Sequence, residues 1–465
     1  MAKSAPFWQK LIWAVMFLVV CEGVLRKWVF PGLQMEVYLA KDGMLILAYI
    51  GFLSSRLPTD SHQKTMVGLK TLLILTLCYL GLQLLNPNSP SILLSIVGLK
   101  NYLLYMPLAF IVPYMFSSSK DLERKLRKYA FLMIPFAALG LVQFAFGPDH
   151  WINDYVSHDP EAQRLIAMFG AGDVKARTTG TFSYPGGYTT FLTVTLYLGL
   201  GLVASKNWRL SGNIWPWALV IISIAAIFTT GSRAPIYASV ITAPVVLYIW
   251  ASKGIMSWGN LLKMSVACLV IATAVTLIVP EAIDAYNYRA EHADDPVDRL
   301  LSPLSQLYDA IAESPIIGRG MASTHSSAVT IVGTKEYWWL EGKYFEQEAA
   351  RVQQETGLVG FILVYAARLW LLFKAINLGL RFRIPLHTAM AGVVAGFFLQ
   401  YLPLIVINNP TGGIFYWFAA GLLFAMYRLE SLEKSTLSPA IGLDTKQLLR
   451  RQAAVTAAPS SFEGP

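Results

Sequence analysis

Residues 214–250 read IWPWALVIISIAAIFTTGSRAPIYASVITAPVVLYIW, with Arg233 as the one charged side chain. The apolar residues form two blocks rather than an amphipathic stripe. About 20 apolar residues carry a helix across a bilayer, so the stretch predicts two crossings, at 213–230 and 234–251, joined by a tight turn at Thr229-Thr230-Gly231-Ser232. An arginine at such a junction, among small residues, is costly near hydrocarbon unless it faces a cavity, meets a partner or snorkels to the surface.

The same pattern extends along the chain. Of 465 residues, 55% are hydrophobic and 14% charged, too little charge to cover a soluble domain of this length. Further spans are expected near 8–25, 37–53, 67–85, 92–116, 129–146, 188–205, 261–279, 356–373, 388–407 and 414–427. The expected fold is therefore all-α and polytopic, with about 12 transmembrane helices. The first block runs into Arg26-Lys27-Trp28 with no small-residue cleavage site behind it, and is read as a retained helix. A net charge of +9 in a soluble chain would raise nucleic acid as a partner; here basic loops account for it, and no nucleic acid is expected. Cys21, Cys78 and Cys268 lie in apolar blocks, match no metal site and are read as small buried hydrophobes.

Loop charge sets the expected orientation. With the N-terminus inside, the inner loops hold Arg56, Lys64, the Lys120–Lys128 cluster, Lys206, Arg209, Lys253, Lys374, Arg381 and Arg383; the short outer loops hold Arg26, Lys27 and Arg233. That asymmetry places both termini in the cytoplasm. Two long outer loops follow, about 147–187 and about 280–355, the latter the large periplasmic loop between spans 9 and 10. Phe345, Ala349 and Val352 recur there at helical spacing, which predicts a short amphipathic helix on the membrane surface. The membrane domain covers 1–430. The segment 431–465 is rich in Ser, Ala and Pro and reads as a disordered cytoplasmic tail.

Candidate chemistry gathers on the outer side. Arg177 opens ARTTGTFSYPGGY at 176–188, where the Pro185-Gly186-Gly187 turn lets backbone approach a ligand. An arginine there suits a phosphate, either of a substrate or of lipid headgroups. Arg299, Arg319, His325, Glu346, Glu348, Arg351 and Glu355 lie in the large loop. Glu348, Arg351 and Glu355 stand at i, i+3 and i+7, the spacing of ordinary surface ion pairs. Glu346 lies off that stripe, with Lys343 as a possible neutralising neighbour. Inside the membrane, Glu22 and Arg26 are spaced to pair, and Asp42 and Lys100 are further charges of an outer-facing network.

Three stretches resemble the O-antigen ligase/polymerase superfamily of bacterial envelope glycosyltransferases: RTTGTF at 177–182, TGSRA at 230–234, and SPIIGRG at 314–320 leading to ETGLVG at 355–360. The resemblance spans roughly 90–427 and implies a transmembrane glycosyltransferase of the bacterial inner membrane. Its substrate would be an undecaprenyl-pyrophosphate-linked glycan, with arginines holding the pyrophosphate and neither metal nor cofactor required. Partners would be the bilayer, a chain-length regulator and export proteins. Ligases of the family usually carry His-Asn nine residues before the glutamate of the last motif; here the place is Glu346-Gln347. That pattern, with EGVLRKW at 22–28, is more similar to polymerases of exopolysaccharide clusters.

The expected reaction is polymerisation of lipid-linked repeat units at the periplasmic face. Arg177, Arg233, Arg319 and Arg299 would hold pyrophosphate, Glu346 or His325 would take the proton, and Glu348, Arg351 and Glu355 would support them. Position favours Glu346 as the base; the ordinary imidazole pKa favours His325. The alternatives are an O-antigen ligase acting on lipid A-core and, in another class, a polysaccharide transporter or flippase. Transporters show internal repeats, and none is evident here.

Overall fold

The computed structural model describes residues 5–55, 61–154, 168–169, 175–206, 208–209, 214–260, 262–263, 266, 273, 296–333 and 337–456. For 61–62, 168–169, 296–300 and 435–456 the backbone alone is described. Fourteen helices carry the argument. They are α1 (Phe7–Val24, continued as a π-turn to Val29), α2 (Gln34–Leu53), α3 (Val67–Leu82), α4 (Ile92–Leu103), α5 (Leu108–Ile111), α6 (Ser119–Ala145), α7 (Pro185–Ala204), α8 (Ile214–Thr229), α9 (Ala234–Ser252), α10 (Pro296–Glu313), α11 (Ser327–Val332), α12 (Glu348–Arg381), α13 (Pro385–Gln400) and α14 (Pro410–Thr456). The sheet among the described residues is one antiparallel pair, β1 (Met168–Phe169) with β2 (Lys175–Ala176).

Among the described residues, eight helices are long and apolar enough to cross a membrane, and the chain is an all-α, multi-pass membrane protein. Helices α2, α8 and α13 occupy three further expected positions, whereas the span expected at 261–279 lies outside the described residues except for 262–263, 266 and 273. Leu53, Leu82, Val240 and Phe373 are exposed on the bundle, as lipid-facing side chains are. Cys78 is exposed there too and Cys21 is half-buried, so neither is the fully buried hydrophobe its apolar setting suggested.

The apolar windows of α7 and α14 are 78% and 83% buried, against 28% for α3 and α9, so α7 and α14 form the centre with α13 beside them. Lipid tails are as apolar as leucine, and close contact between helices must supply what water-driven burial supplies elsewhere. Gly392 illustrates it. A Cβ there would lie 2.6 Å from Trp250 Nε1, and the space left by the glycine lets that ring reach in and donate to the Ala389 carbonyl at 3.1 Å.

The main difference from the sequence reading lies at the start of α12. Phe345, Ala349 and Val352 do not lie on a membrane surface; all three are buried, and so are Glu348, Arg351 and Glu355. The three charged residues also do not pair with one another along the helix. Glu348 binds Arg368 one span deeper, at 3.2 Å, and accepts the Val406 and Ile407 amides at 2.6 and 2.7 Å. Lys343 pairs with Glu313 at 2.6 Å rather than with Glu346. Burial selects partners by three-dimensional position, and helical spacing reports only neighbours on one exposed face.

Candidate active site

Two interlocks bring distant motifs together. In the first, the 177–182 segment lies against the turn between α8 and α9. The Thr178 amide donates to the Thr229 carbonyl at 3.1 Å, the two threonine hydroxyls meet at 2.8 Å, and Arg177 Nε donates to the Thr230 carbonyl at 3.2 Å. Arg177 and the Arg233 turn therefore share one site, although more than fifty residues separate them. Gln143 completes the interlock, accepting the Thr179 and Gly180 amides and donating to the Gly180 carbonyl at 3.0 Å.

The second interlock joins SPIIGRG to ETGLVG. Arg319 and Gly320 amides donate to the Gln354 and Glu355 carbonyls at 2.8 and 3.0 Å, and the Leu358 amide donates to Ile316 at 3.1 Å. The two backbones cross at Gly318 and Gly357, both in the left-handed region (φ +77° and +67°). A Cβ on Gly357 would lie 2.0 Å from the Ile316 oxygen, so no other residue fits without displacing the crossing. The break in α12 at Gly357 frees the Thr356 carbonyl, which receives the Tyr79 hydroxyl at 2.7 Å and Gln83 Nε2 at 3.3 Å from the end of α3, while Gln83 and Asn86 also donate to the Ile317 carbonyl on the other side of the crossing, at 2.9 and 3.0 Å.

Between the two interlocks lies a cavity of about 630 Å³. Its walls include Gly186 and Thr190 at the start of α7, Ser232, Ala234 and Pro235 at the start of α9, and Asn409 at the start of α14. Three helix N-termini thus converge on it, each carrying roughly half a positive charge from its unsatisfied amides. Arg351 adds a full charge, and Thr324, His325, Tyr184, Tyr337, Tyr344 and Tyr401 fill out the lining. No carboxylate is among the described residues that line it.

Arg351 is held rigidly. Nε donates to Thr324 Oγ1 at 3.0 Å and Nη2 to the Thr324 carbonyl at 2.6 Å, with the Tyr344 ring 5.2 Å from its carbon centre. Thr324 is fixed in turn: its hydroxyl donates to the Glu355 carboxylate, which also receives the Tyr102 hydroxyl at 2.9 Å. Glu355 therefore stands directly behind the cavity wall and positions Thr324. Arg233 is buried beside Ser232 and Ala234, and its guanidinium makes no hydrogen bond or ion pair among the described residues.

His325 Nδ1 accepts the Ser327 amide at 3.1 Å, with the Ser327 hydroxyl 2.6 Å from the same nitrogen. The neutral ring consequently carries its proton on Nε2. Burial, then the charges of Arg351 and Lys100, push its pKa down from 6.5 to about 4.

The other expected site residues lie apart from this lining. Arg319 clasps Glu341 with two nitrogens, each at 2.9 Å, and donates to the Trp339 carbonyl. Glu346 is exposed, and its amide is capped by Gln306 at 2.9 Å. Arg299 lies on α10, and its side chain is outside the described residues. Sequence reasoning passed over Asn408-Asn409-Pro410, although Asn before Pro is an ordinary helix-start signal, and Asn409 does accept the Gly412 amide at 3.2 Å. The cavity tyrosines left no such signal; nothing local separates them from interfacial anchors.

Residues 218–365 match the family model described as O-Antigen ligase, which covers α8, α9 and the large loop through the first half of α12. No curated protein matches the chain.

Proposed function

On the match of residues 218–365 to the O-Antigen ligase family model, we propose that the chain is a member of the O-antigen ligase/polymerase superfamily and a polysaccharide polymerase joining undecaprenyl-pyrophosphate-linked repeat units at the periplasmic face of the bacterial inner membrane. The observation that supports this reading is the electrostatic make-up of the cavity. Three helix N-termini and Arg351 face a space whose described lining holds no carboxylate, with the buried cation Arg233 alongside. Such a space attracts an anion of high charge density and disfavours a cationic solute.

The reaction is a displacement at the anomeric carbon. An acceptor hydroxyl forms the new C–O bond while the bond to pyrophosphate breaks, and the electron pair leaves with the phosphate oxygen. That leaving group needs stabilisation of negative charge, which Arg351, Arg233 and the helix amides supply in place before the reaction begins. His325, with its proton on Nε2 and a depressed pKa, acts as a neutral hydrogen-bond donor to a phosphate or sugar oxygen. The acceptor's proton passes to the departing phosphate, which becomes basic as the ester bond breaks. Glu346, exposed and outside the lining, is not assigned the base in this reading. Arg177 holds the α8–α9 turn through Thr230 and so places Arg233.

Tyr184, Tyr337, Tyr344 and Tyr401 offer ring faces and hydroxyls together, the surface a sugar needs for stacking and hydrogen bonding. Glu346-Gln347 in place of the ligases' usual His-Asn favours polymerase over ligase. The test is reconstitution: purified protein with lipid-linked oligosaccharide should release lipid pyrophosphate in step with glycan transfer. Release without transfer, or neither, would refute the proposal.

A further inference from the structure

A second group of cations lies beyond Tyr184. That tyrosine lines the main cavity and also a smaller one of about 50 Å³ formed with Glu22, Arg26, Tyr38 and Ser183. Around the Tyr38 ring stand Lys41 at 3.8 Å, Lys100 at 4.8 Å and Arg26 at 5.5 Å. Two carboxylates answer them. Glu22 binds Arg26 at 3.0 Å and Lys41 at 2.8 Å, and Asp42 binds Lys100 at 2.5 Å and receives the Tyr105 hydroxyl at 2.9 Å.

Three cations against two carboxylates leave a net positive charge within helices α1, α2 and α4 of a membrane bundle. Charge of that kind is costly unless a counter-ion or water-filled space receives it. Not all the donors are used. Among the described residues, Lys100 is partly exposed and has Asp42 as its one acceptor, and Arg26 Nε is buried without an acceptor while Nη1 serves Glu22 and Ser183. The cluster also reaches the main cavity electrically, because Lys100 is among the charges that depress the His325 pKa.

We infer that Arg26, Lys100 and Tyr38 form a second lipid-pyrophosphate site, distinct from the one at Arg351, which holds the acceptor while the first holds the donor. The inference rests on the transferase reading for the words donor and acceptor; a second anion site beside Tyr184 rests on the geometry alone. A polymerase joins two molecules that each carry a lipid pyrophosphate, so two cationic seats flanking one aromatic residue match its stoichiometry. A transferase to an acceptor without pyrophosphate has no use for the second.

The experiment counts ligands. Full-length protein in lipid nanodiscs is titrated with undecaprenyl pyrophosphate bearing no sugar, and bound lipid per chain is read by native mass spectrometry. The wild type should take two. Arg26→Gln with Lys100→Gln should take one, and Arg351→Gln with Arg233→Gln should take the other one. Each variant set controls the folding of the other, because a misfolded bundle loses both sites. If the quadruple variant takes none, adventitious headgroup binding is excluded. One lipid per wild-type chain, or two still bound by Arg26→Gln with Lys100→Gln, would overturn the inference. Two sites in a protein that transfers no glycan would instead overturn the transferase reading and leave the second anion site standing.

Discussion

Arg351 grips Thr324 twice, Nε on the hydroxyl at 3.0 Å and Nη2 on the carbonyl at 2.6 Å. The same hydroxyl donates to Glu355, so one threonine ties a cavity cation to a buried carboxylate without letting the two neutralise each other. A direct Arg–Glu pair would satisfy both groups and leave nothing for a substrate anion.

Thr324→Val should therefore damage both stability and activity. The isostere keeps the volume but leaves Arg351 Nε without its partner and Glu355 with one donor fewer. An unsatisfied buried polar group costs about 1–3 kcal/mol. The expected result is a lower melting temperature in detergent and a transfer rate well below wild type, with Thr324→Ser near normal in both. A Val variant equal to wild type would show that the hydroxyl bridge is incidental.

Arg351→Lys should lower transfer about 10²- to 10³-fold at unchanged protein level, the usual effect of losing one preorganised donor to a leaving oxyanion. A lysine retains charge but cannot hold Thr324 through two nitrogens and still present a third. Arg233→Ala should fall as far. Arg177→Ala should lose activity through the α8–α9 turn, and its loss should be accompanied by a lower melting temperature, which Arg233→Ala should not show.

His325 separates a donor from a base. If its Nε2–H is a donor, His325→Gln retains activity to within about tenfold while His325→Ala does not; a base would be lost equally in both. A folded pKa of about 4 against an ordinary 6.5 means that the unfolded chain binds the extra proton between those values. Stability is thus full above about pH 6.5 and declines as pH falls toward 4. His325→Gln should flatten that part of the melting-temperature profile, and wild-type activity should show no imidazole titration between pH 6 and 8.

Ser326 is exposed and lines the cavity. Ser326→Cys, in a chain whose native cysteines are replaced, should react with an impermeant thiol reagent in intact spheroplasts, and lipid-linked glycan should slow the reaction. Labelling only after permeabilisation would put the cavity on the cytoplasmic side, where the proposed donor is absent.

Much of this was legible in the sequence because a bilayer imposes a simple rule. Backbone groups must be satisfied within each span, so block length alone located α1, α3, α7 and α9. RTTGTF and TGSRA were each recognisable beside a span, but that they meet was not; the structure stitches them through Thr178 and Thr229. The Glu22–Arg26 pair was legible from its spacing, and Asp42 and Lys100 as members of one outer-facing network, since buried charges in a membrane must find partners; that those two pair with each other is the structure's addition. The partners of Glu348 and Arg351 were not. Arg368 reaches Glu348 across the Gly357 break and Thr324 reaches Arg351 from the large loop, and nothing local announces either contact. Convergence of helix N-termini from α7, α9 and α14 is likewise a property of tertiary placement.

The most direct measurement offers the reconstituted protein one labelled lipid-linked repeat unit as donor and two acceptors at equal concentration, a second lipid-linked unit and lipid A-core. Products are then resolved by size. The account predicts a ladder of glycans on undecaprenyl pyrophosphate, lipid A-core unmodified, and the ladder abolished by Arg351→Gln. Label transferred to lipid A-core with no ladder would make the protein a ligase and contradict the account.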